Sequence, residues 1–300
     1  IQEYLDTYTQ NEYATALIGK WHLSNNIQDP LFMGIDYFAG LLQGGVQSYT
    51  NWNLIENGQT TNTSEYTTTK FTDLAINWVE DQTKPWFLWL AYNAPHTPFH
   101  LAPSNLHSQG NLPSDDGSID VNPLPYFLSA VEAMDSEMGR LINSLSDEER
   151  ANTVIIFIGD NGTPNGVTQL PYRAMRSKGS IYQGGVNVPM IISGSGVNRM
   201  GEREAALIHT TDLFATIAEI SGVSIEEINN SKSFYNLLSD STASKREFVY
   251  TERSNNGASY AIRNSIYKLI VHENGNQEFY NLLDDPYEIN DLIDTAFSSD

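Results

Sequence analysis

The sequence has no cysteine. That excludes disulfides, thiolate metal sites and a cysteine nucleophile among these 300 residues. It leaves the compartment open, because a domain of this size needs no disulfides even outside the cell. Long apolar runs are also lacking. The longest, Trp86 to Tyr92 and Val154 to Ile158, are far too short to cross a bilayer as helices and read as buried strands. No membrane partner is expected. Basic residues are scarce: 16 Lys and Arg stand against 37 Asp and Glu, a formal net charge of -21. Nucleic acid is therefore not an expected partner, since phosphate binding needs concentrated Lys and Arg. An anionic substrate would have to be held by local cations against an unfavourable overall field. There is no signal-peptide pattern, and the chain begins at Ile1 rather than Met, so an upstream segment is expected.

What is present suits a globular α/β protein. Hydrophobic residues make up 40% and charged residues 18%, and 300 residues suffice for one large domain with a small appendage. Ile1, Leu5 and Tyr8 have the spacing of the end of an amphipathic helix. Tyr13 to Ile18 reads as a strand, with Gly19 to Leu23 as the loop leaving it. Residues 24 to 66 are rich in Gly, Asn, Gln, Thr and Tyr and predict irregular excursions and short hairpins. Helical spacing returns over Thr69 to Asp81 and over Tyr126 to Leu145. Strands are expected at Trp86 to Tyr92, Thr153 to Ile158 (a central one) and Val188 to Ile192, an exposed loop at Ser108 to Asp120, and a helix at His209 to Ser221. From about Arg246 the pattern becomes short strands. The expected architecture is a mostly parallel sheet sandwiched by helices over residues 1–245, with a small C-terminal antiparallel α+β subdomain over 246–300.

In such sheets, ligands bind outside the carboxyl ends of the strands. Three polar clusters fall at predicted strand ends. Lys20 and His22, two apart on an extended loop, can point the same way to hold an oxyanion and move a proton. His96 lies in Asn93-Ala94-Pro95-His96-Thr97-Pro98-Phe99-His100, where prolines stiffen the loop and suit a fixed general acid. Asp160 and Asn161, flanked by Gly159 and Gly162, admit two readings: an ordinary turn, or adjacent hard oxygen ligands for Ca²⁺ or Mg²⁺. A fourth cluster, Ser177-Lys178-Gly179-Ser180, places a cation beside glycines that let backbone approach a ligand; it is not a P-loop.

Taken in order, these segments resemble the sulfatase family of the alkaline-phosphatase-like superfamily. Tyr13-Ala14-Thr15-Ala16-Leu17-Ile18-Gly19-Lys20-Trp21-His22-Leu23 resembles one of its diagnostic signatures, and Ala94-Pro95-His96-Thr97-Pro98 its histidine loop. Asp160-Asn161-Gly162 resembles half of its metal site, and Lys178-Gly179-Ser180-Ile181-Tyr182-Gln183-Gly184-Gly185-Val186 its lysine loop. Ala133-Met134-Asp135, Asp212-Leu213-Phe214 and Phe279-Tyr280-Asn281-Leu282 resemble further landmarks.

The resemblance implies hydrolysis of a sulfate ester at sulfur, on a sulfated carbohydrate or aryl sulfate, by a periplasmic or extracellular enzyme. It implies that a hydrated formylglycine attacks sulfur and the alcohol leaves. Asp160 and Asn161 would bind Ca²⁺, with Mg²⁺ the alternative ion, and Asp160 would also assist the nucleophile. Lys20 and Lys178 would hold sulfate oxygens, His96 would protonate the leaving oxygen, and His22 would act as the base that expels sulfate. The family makes formylglycine from Cys or Ser in Cys/Ser-x-Pro-x-Arg. Here there is no Cys, and none of the twelve prolines has Ser two residues before it. Formylglycine is thus expected in the family and absent from this chain, which predicts roughly a hundred further residues upstream, a large share of an ordinary domain. Asn187 stands where the family commonly has Arg. Two other readings stay open: a phosphoester or phosphonate hydrolase of the same superfamily, and a non-catalytic protein that binds sulfated glycans. A sheet edge left open would also seek an association that covers it.

Overall fold

The computed structural model describes residues 1–223, 228–243, 246–254 and 257–293. The remaining residues of the expected 246–300 subdomain, 255–256 and 294–300, lie outside the described residues. The chain divides into two compact units, one of residues 1–150 with 221–223, the other of 151–220 with 224–300. This division falls elsewhere than the boundary expected at 245/246. Among the described residues, no helix is long and apolar enough to cross a membrane.

In the first unit, β1 (Ala14–Lys20) lies between β2 (Tyr37–Leu41) and β5 (Trp86–Ala91) and is parallel to both. β3 (Trp52–Glu56) and β4 (Gln59–Thr63) form a hairpin that extends the sheet antiparallel from β2, giving the order β4-β3-β2-β1-β5. Asn57 and Gly58, with φ of 44° and 82°, make its two-residue turn, the chemistry that suits the twist of a hairpin. Parallel pairing is thus limited to three strands, and the sheet is mixed. β2 was not foreseen: its apolar run, Tyr37 to Leu41, is embedded in a stretch from 24 to 66 whose Gly, Asn, Gln and Thr content reads as irregular. β1 was expected to end at Ile18 and instead runs on through Lys20.

Both faces of this sheet are covered, as alternation along β1 requires. Ala16 and Ile18 point one way, and Ile18 packs with Ala39, Leu54, Phe71 and Ala75. Leu17 points the other way, toward Trp21, Ile35, Phe38 and Leu42. α3 (Thr67–Glu80) supplies Phe71 and Ala75, and Leu141 of α5 (Leu124–Ser144) packs on the same cluster. The short α1 (Gln2–Tyr8) buries Leu5 but leaves Tyr8 exposed. α2 (Asp29–Phe32) is a single turn, and α4 (Asp116–Val121) starts at Asp115, whose carboxylate accepts from the Ser118 amide. That cap organises part of a segment expected to be wholly loop. α6 (Asp147–Asn152) straddles the division between the units.

The second unit contains two antiparallel sheets. β6 (Val154–Ile158) pairs with β7 (Met190–Gly194), so the strand expected to be central has an antiparallel partner here. α7 (Gln183–Val186) precedes β7, and α8 (Asp212–Ile220) follows it. The foreseen short strands are β8 (Val249–Arg253), β9 (Ser259–Arg263), β10 (Tyr267–His272) and β11 (Gln277–Asn281), in the order β11-β10-β9-β8. Ile181 packs with Ala261, Ile270, Tyr280 and Leu282, so this sheet shares its core with the lysine loop.

Candidate active site

In the first unit, parallel pairing decides what can meet. Gly19 of β1 aligns with Ala91 of β5, and Lys20 aligns with Leu41 of β2. The three strands therefore release their following loops at one end. Lys20 is the last residue of β1. Gly19 (φ 117°) must be glycine, because a Cβ there would run into the Ala91 carbonyl. Beyond Lys20, the Trp21 and His22 amides donate to the Leu41 and Leu42 carbonyls at 2.8 and 2.9 Å. His22 adopts a left-handed backbone, φ 54°.

The two candidate histidines of this unit rest on one dipeptide. A Cβ on Gly44 would lie 2.6 Å from the His22 imidazole, and one on Gly45 would lie 3.4 Å from His96 Nδ1. Gly44-Gly45 follows β2, so it leaves the same end of the sheet as Lys20. The histidine loop is held from beneath by Tyr49, a buried residue. Its hydroxyl lies 2.7 Å from the His96 carbonyl and 3.0 Å from the Asn93 carbonyl, and it accepts from Asn93 Nδ2 at 3.1 Å. Gly44, Gly45 and Tyr49 were not singled out from the sequence. A Gly-Gly pair and one more Tyr in a Tyr-rich stretch carry no local signal; only the fold brings the glycines against the two imidazoles and Tyr49 against the backbone of the histidine loop.

His96 Nδ1 lies 2.9 Å from the Thr97 carbonyl, which can only accept. Nδ1 therefore carries a hydrogen. His100 is different. Its ring stacks on Tyr49 with centroids 3.8 Å apart, Nδ1 faces the Pro98 carbonyl at 3.1 Å, and Nε2 faces the Tyr66 hydroxyl at 2.9 Å. Burial lowers its pKa to about 4, so it is a neutral packing residue near pH 7.

In the second unit, Asp160 and Asn161 stand exposed on the turn after β6. The turn is pinned on both sides: the Gly159 amide donates to the Pro189 carbonyl at 3.0 Å, and the Gly162 amide to the Gly185 carbonyl at 3.1 Å. Gly162 has no room for a side chain, since a Cβ would strike the Gly184 carbonyl. The Lys178 amide donates to the Thr163 carbonyl at 3.1 Å. Asp160, Asn161 and Lys178 are thereby brought to one place by backbone bonds between two segments. Asn187 is exposed, with its amide bonded to the Gln183 carbonyl at 2.9 Å.

The donors Asp160 and Asn161 fit a hard divalent cation in kind, one carboxylate and one amide oxygen. Two donors are a fraction of the six to eight oxygens that Ca²⁺ takes. Among the described residues, no group of three or more His, Cys, Asp or Glu could hold a metal ion.

The Sulfatase family model matches residues 2–223, and a second model, N-sulphoglucosamine sulphohydrolase, C-terminal, matches residues 174–299. The uncharacterized sulfatase YdeN of Escherichia coli (strain K12) is 28% identical over 251 residues, which cover 73% of this chain and 43% of YdeN. The chain thus spans less than half of that relative's length. Ps i-CgsB, solved in complex with k-i-k-neocarrahexaose, is 24% identical with a TM-score of 0.80, covering 97% of this chain and 70% of that one. BT4656, solved in complex with its substrate D-glucosamine-2-N,6-O-disulfate, is 21% identical with a TM-score of 0.77, covering 96% of this chain and 76% of that one. Both structural likenesses speak for the fold. With the family model matched from residue 2 to residue 223, the chain belongs to the sulfatase family.

Proposed function

We propose that the protein is a sulfuric ester hydrolase acting on sulfated carbohydrate in the periplasm or outside the cell. One observation carries the proposal. In a chain of the sulfatase family, the His22 imidazole lies against Gly44 and the His96 imidazole against Gly45, a dipeptide that leaves the carboxyl end of parallel strands that also end in Lys20. The substrate class is supported by the sulfated sugar bound to BT4656, a protein of similar fold.

In this reading Lys20 and Lys178 bind sulfate oxygens and stabilise the charge that grows on them, a preorganised electrostatic role. His96 delivers a proton from Nε2 to the oxygen of the departing alcohol; its Nδ1 bond to the Thr97 carbonyl fixes the ring for that transfer. His22 takes up a proton as the base of the second half of the reaction. Asp160 and Asn161 would hold Ca²⁺, or Mg²⁺ in its place, which supplies positive charge beside the anion. The formylglycine that the family uses would supply the nucleophile. No Cys and no Ser-x-Pro-x-Arg occurs in these residues, so none of them is assigned that part.

The test is turnover of an aryl sulfate and the matching aryl phosphate by the full-length protein. Sulfate is expected to be preferred, and Lys178→Ala is expected to lower kcat/KM by about 10²–10³. A strong preference for phosphate would replace this reading with a phosphoester hydrolase. Tight binding of sulfated oligosaccharides with no turnover of either ester would replace it with a binding protein.

A further inference from the structure

The lysine loop has little regular structure of its own. Residues 174–183 contain one short 3-10 turn, Ala174–Arg176, and Gly179 at φ 81°. The C-terminal sheet holds it through an ion pair that solvent barely reaches. Lys268 is 2% exposed and Glu288 1%, and Lys268 Nζ lies 2.6 Å from Glu288 Oε1. Both partners also bond the loop. Lys268 Nζ donates to the Ile181 carbonyl at 2.6 Å, and Glu288 Oε2 accepts from the Gln183 amide at 2.6 Å. The backbone carbonyl of Glu288 accepts from Arg176 Nη1.

A second carboxylate completes the grip. Glu278 of β11 accepts from Tyr182 Oη at 2.7 Å and from Tyr280 Oη, and lies 2.8 Å from His272 Nε2. The Arg176 guanidinium sits 4.3 Å above the Tyr182 ring and 3.6 Å from Glu278. Contacts from β10, β11 and Glu288 therefore fall on residues 176, 181, 182 and 183, on both sides of Lys178. A buried ion pair is weak evidence for net stability, since desolvation offsets much of the attraction. Its use here is better sought in the geometry it imposes.

Building on the sulfatase reading, we propose that the buried Lys268–Glu288 pair is a positioning device for Lys178, through which the C-terminal sheet sets the placement of a sulfate-binding cation. Neither residue touches the substrate. Each acts by fixing the backbone that carries Lys178.

Two measurements test this in the full-length protein: amide hydrogen exchange of the 174–186 segment at a temperature where every variant is folded, and kcat/KM on an aryl sulfate. Glu288→Leu removes the acceptor for the Gln183 amide and is expected to raise exchange in 174–186 at least tenfold, without change in β6 and β7, and to lower kcat/KM at least tenfold. Glu288→Gln keeps one side-chain oxygen and should fall between Leu and the parent in both readouts. If Glu288→Leu does not fold, the double variant Lys268→Met/Glu288→Leu removes both charges together and should fold with the same raised exchange. Parental exchange across 174–186 in folded Glu288→Leu, or in the double variant, would overturn the positioning role. So would raised exchange with parental kcat/KM. A parent with no sulfate-ester turnover would defeat the sulfatase reading instead, and exchange alone would then decide whether the pair holds the loop.

Discussion

His96 and His100 are four residues apart and do different work because their second nitrogens meet different partners. Both anchor Nδ1 to a backbone carbonyl. His100 Nε2 then accepts from the Tyr66 hydroxyl inside a stack with Tyr49, and burial holds its pKa near 4. In the unfolded chain the same imidazole titrates near 6.5. Between about pH 6.5 and 4 the unfolded state therefore binds a proton that the folded state does not. The contribution of His100 to stability is complete above pH 6.5 and is lost as pH falls through that window. It amounts to about 3 kcal/mol at most. Chemical denaturation at pH 7 and pH 5 should show a smaller fall in stability for His100→Gln than for the parent, and equal falls would refute the assignment. The sequence singled out His96 from this rigid loop and put it ahead of His100. What His100 does instead became visible only through Tyr49 and Tyr66, which are far from it in sequence. Lys20, Asp160 and Lys178 were legible for the opposite reason: each stands next to a strand end or a glycine turn that local pattern reveals.

At the scale of elements, the two edges of the first sheet are unlike. β4 is Gln-Thr-Thr-Asn-Thr, exposed and polar, an edge that does not invite pairing. β5 is Trp-Phe-Leu-Trp-Leu-Ala, and Trp89 is 51% exposed. Its inner side is taken up by β1, and Leu88 and Leu90 reach the core. An apolar strand at the edge of a sheet is a template for another strand. The 300-residue chain is therefore expected to self-associate with rising concentration in sedimentation velocity, and Trp89→Lys to shift it toward monomer. A parent that stays monodisperse and unfolds cooperatively would contradict this. The sequence made β5 legible as an apolar run but could not say that it would lie at an edge. The same holds for β6, whose run of Val-Ile-Ile-Phe-Ile was read as a central strand and which pairs with β7 alone within its sheet. Runs report burial tendency; neighbours are a property of pairing between distant segments.

Over the whole molecule, a formal net charge of -21 sets two effects of ions apart. Self-repulsion destabilises a compact state, and salt screens it, with a Debye length of about 10 Å at 0.1 M. Raising NaCl from about 10 mM to about 150 mM should therefore raise the melting temperature of this chain whether or not it has a cation site. A specific site behaves differently. Once NaCl has screened the bulk repulsion, adding Ca²⁺ at millimolar level hardly changes ionic strength, yet binding to the folded state adds RT ln(1 + [L]/Kd), about 2.7 kcal/mol at a hundredfold excess over Kd. Asp160 supplies the one carboxylate of the candidate pair, so Asp160→Ala should remove that Ca²⁺ increment and leave the NaCl increment intact. An increment that survives Asp160→Ala would mean Ca²⁺ neutralises the acidic surface at large, and the turn after β6 would return to the simpler of its two readings, two turn-forming residues between glycines. Loss of the Ca²⁺ increment alone would assign a cation to Asp160 and Asn161 without recourse to catalysis, and would do so in this chain, independently of any nucleophile.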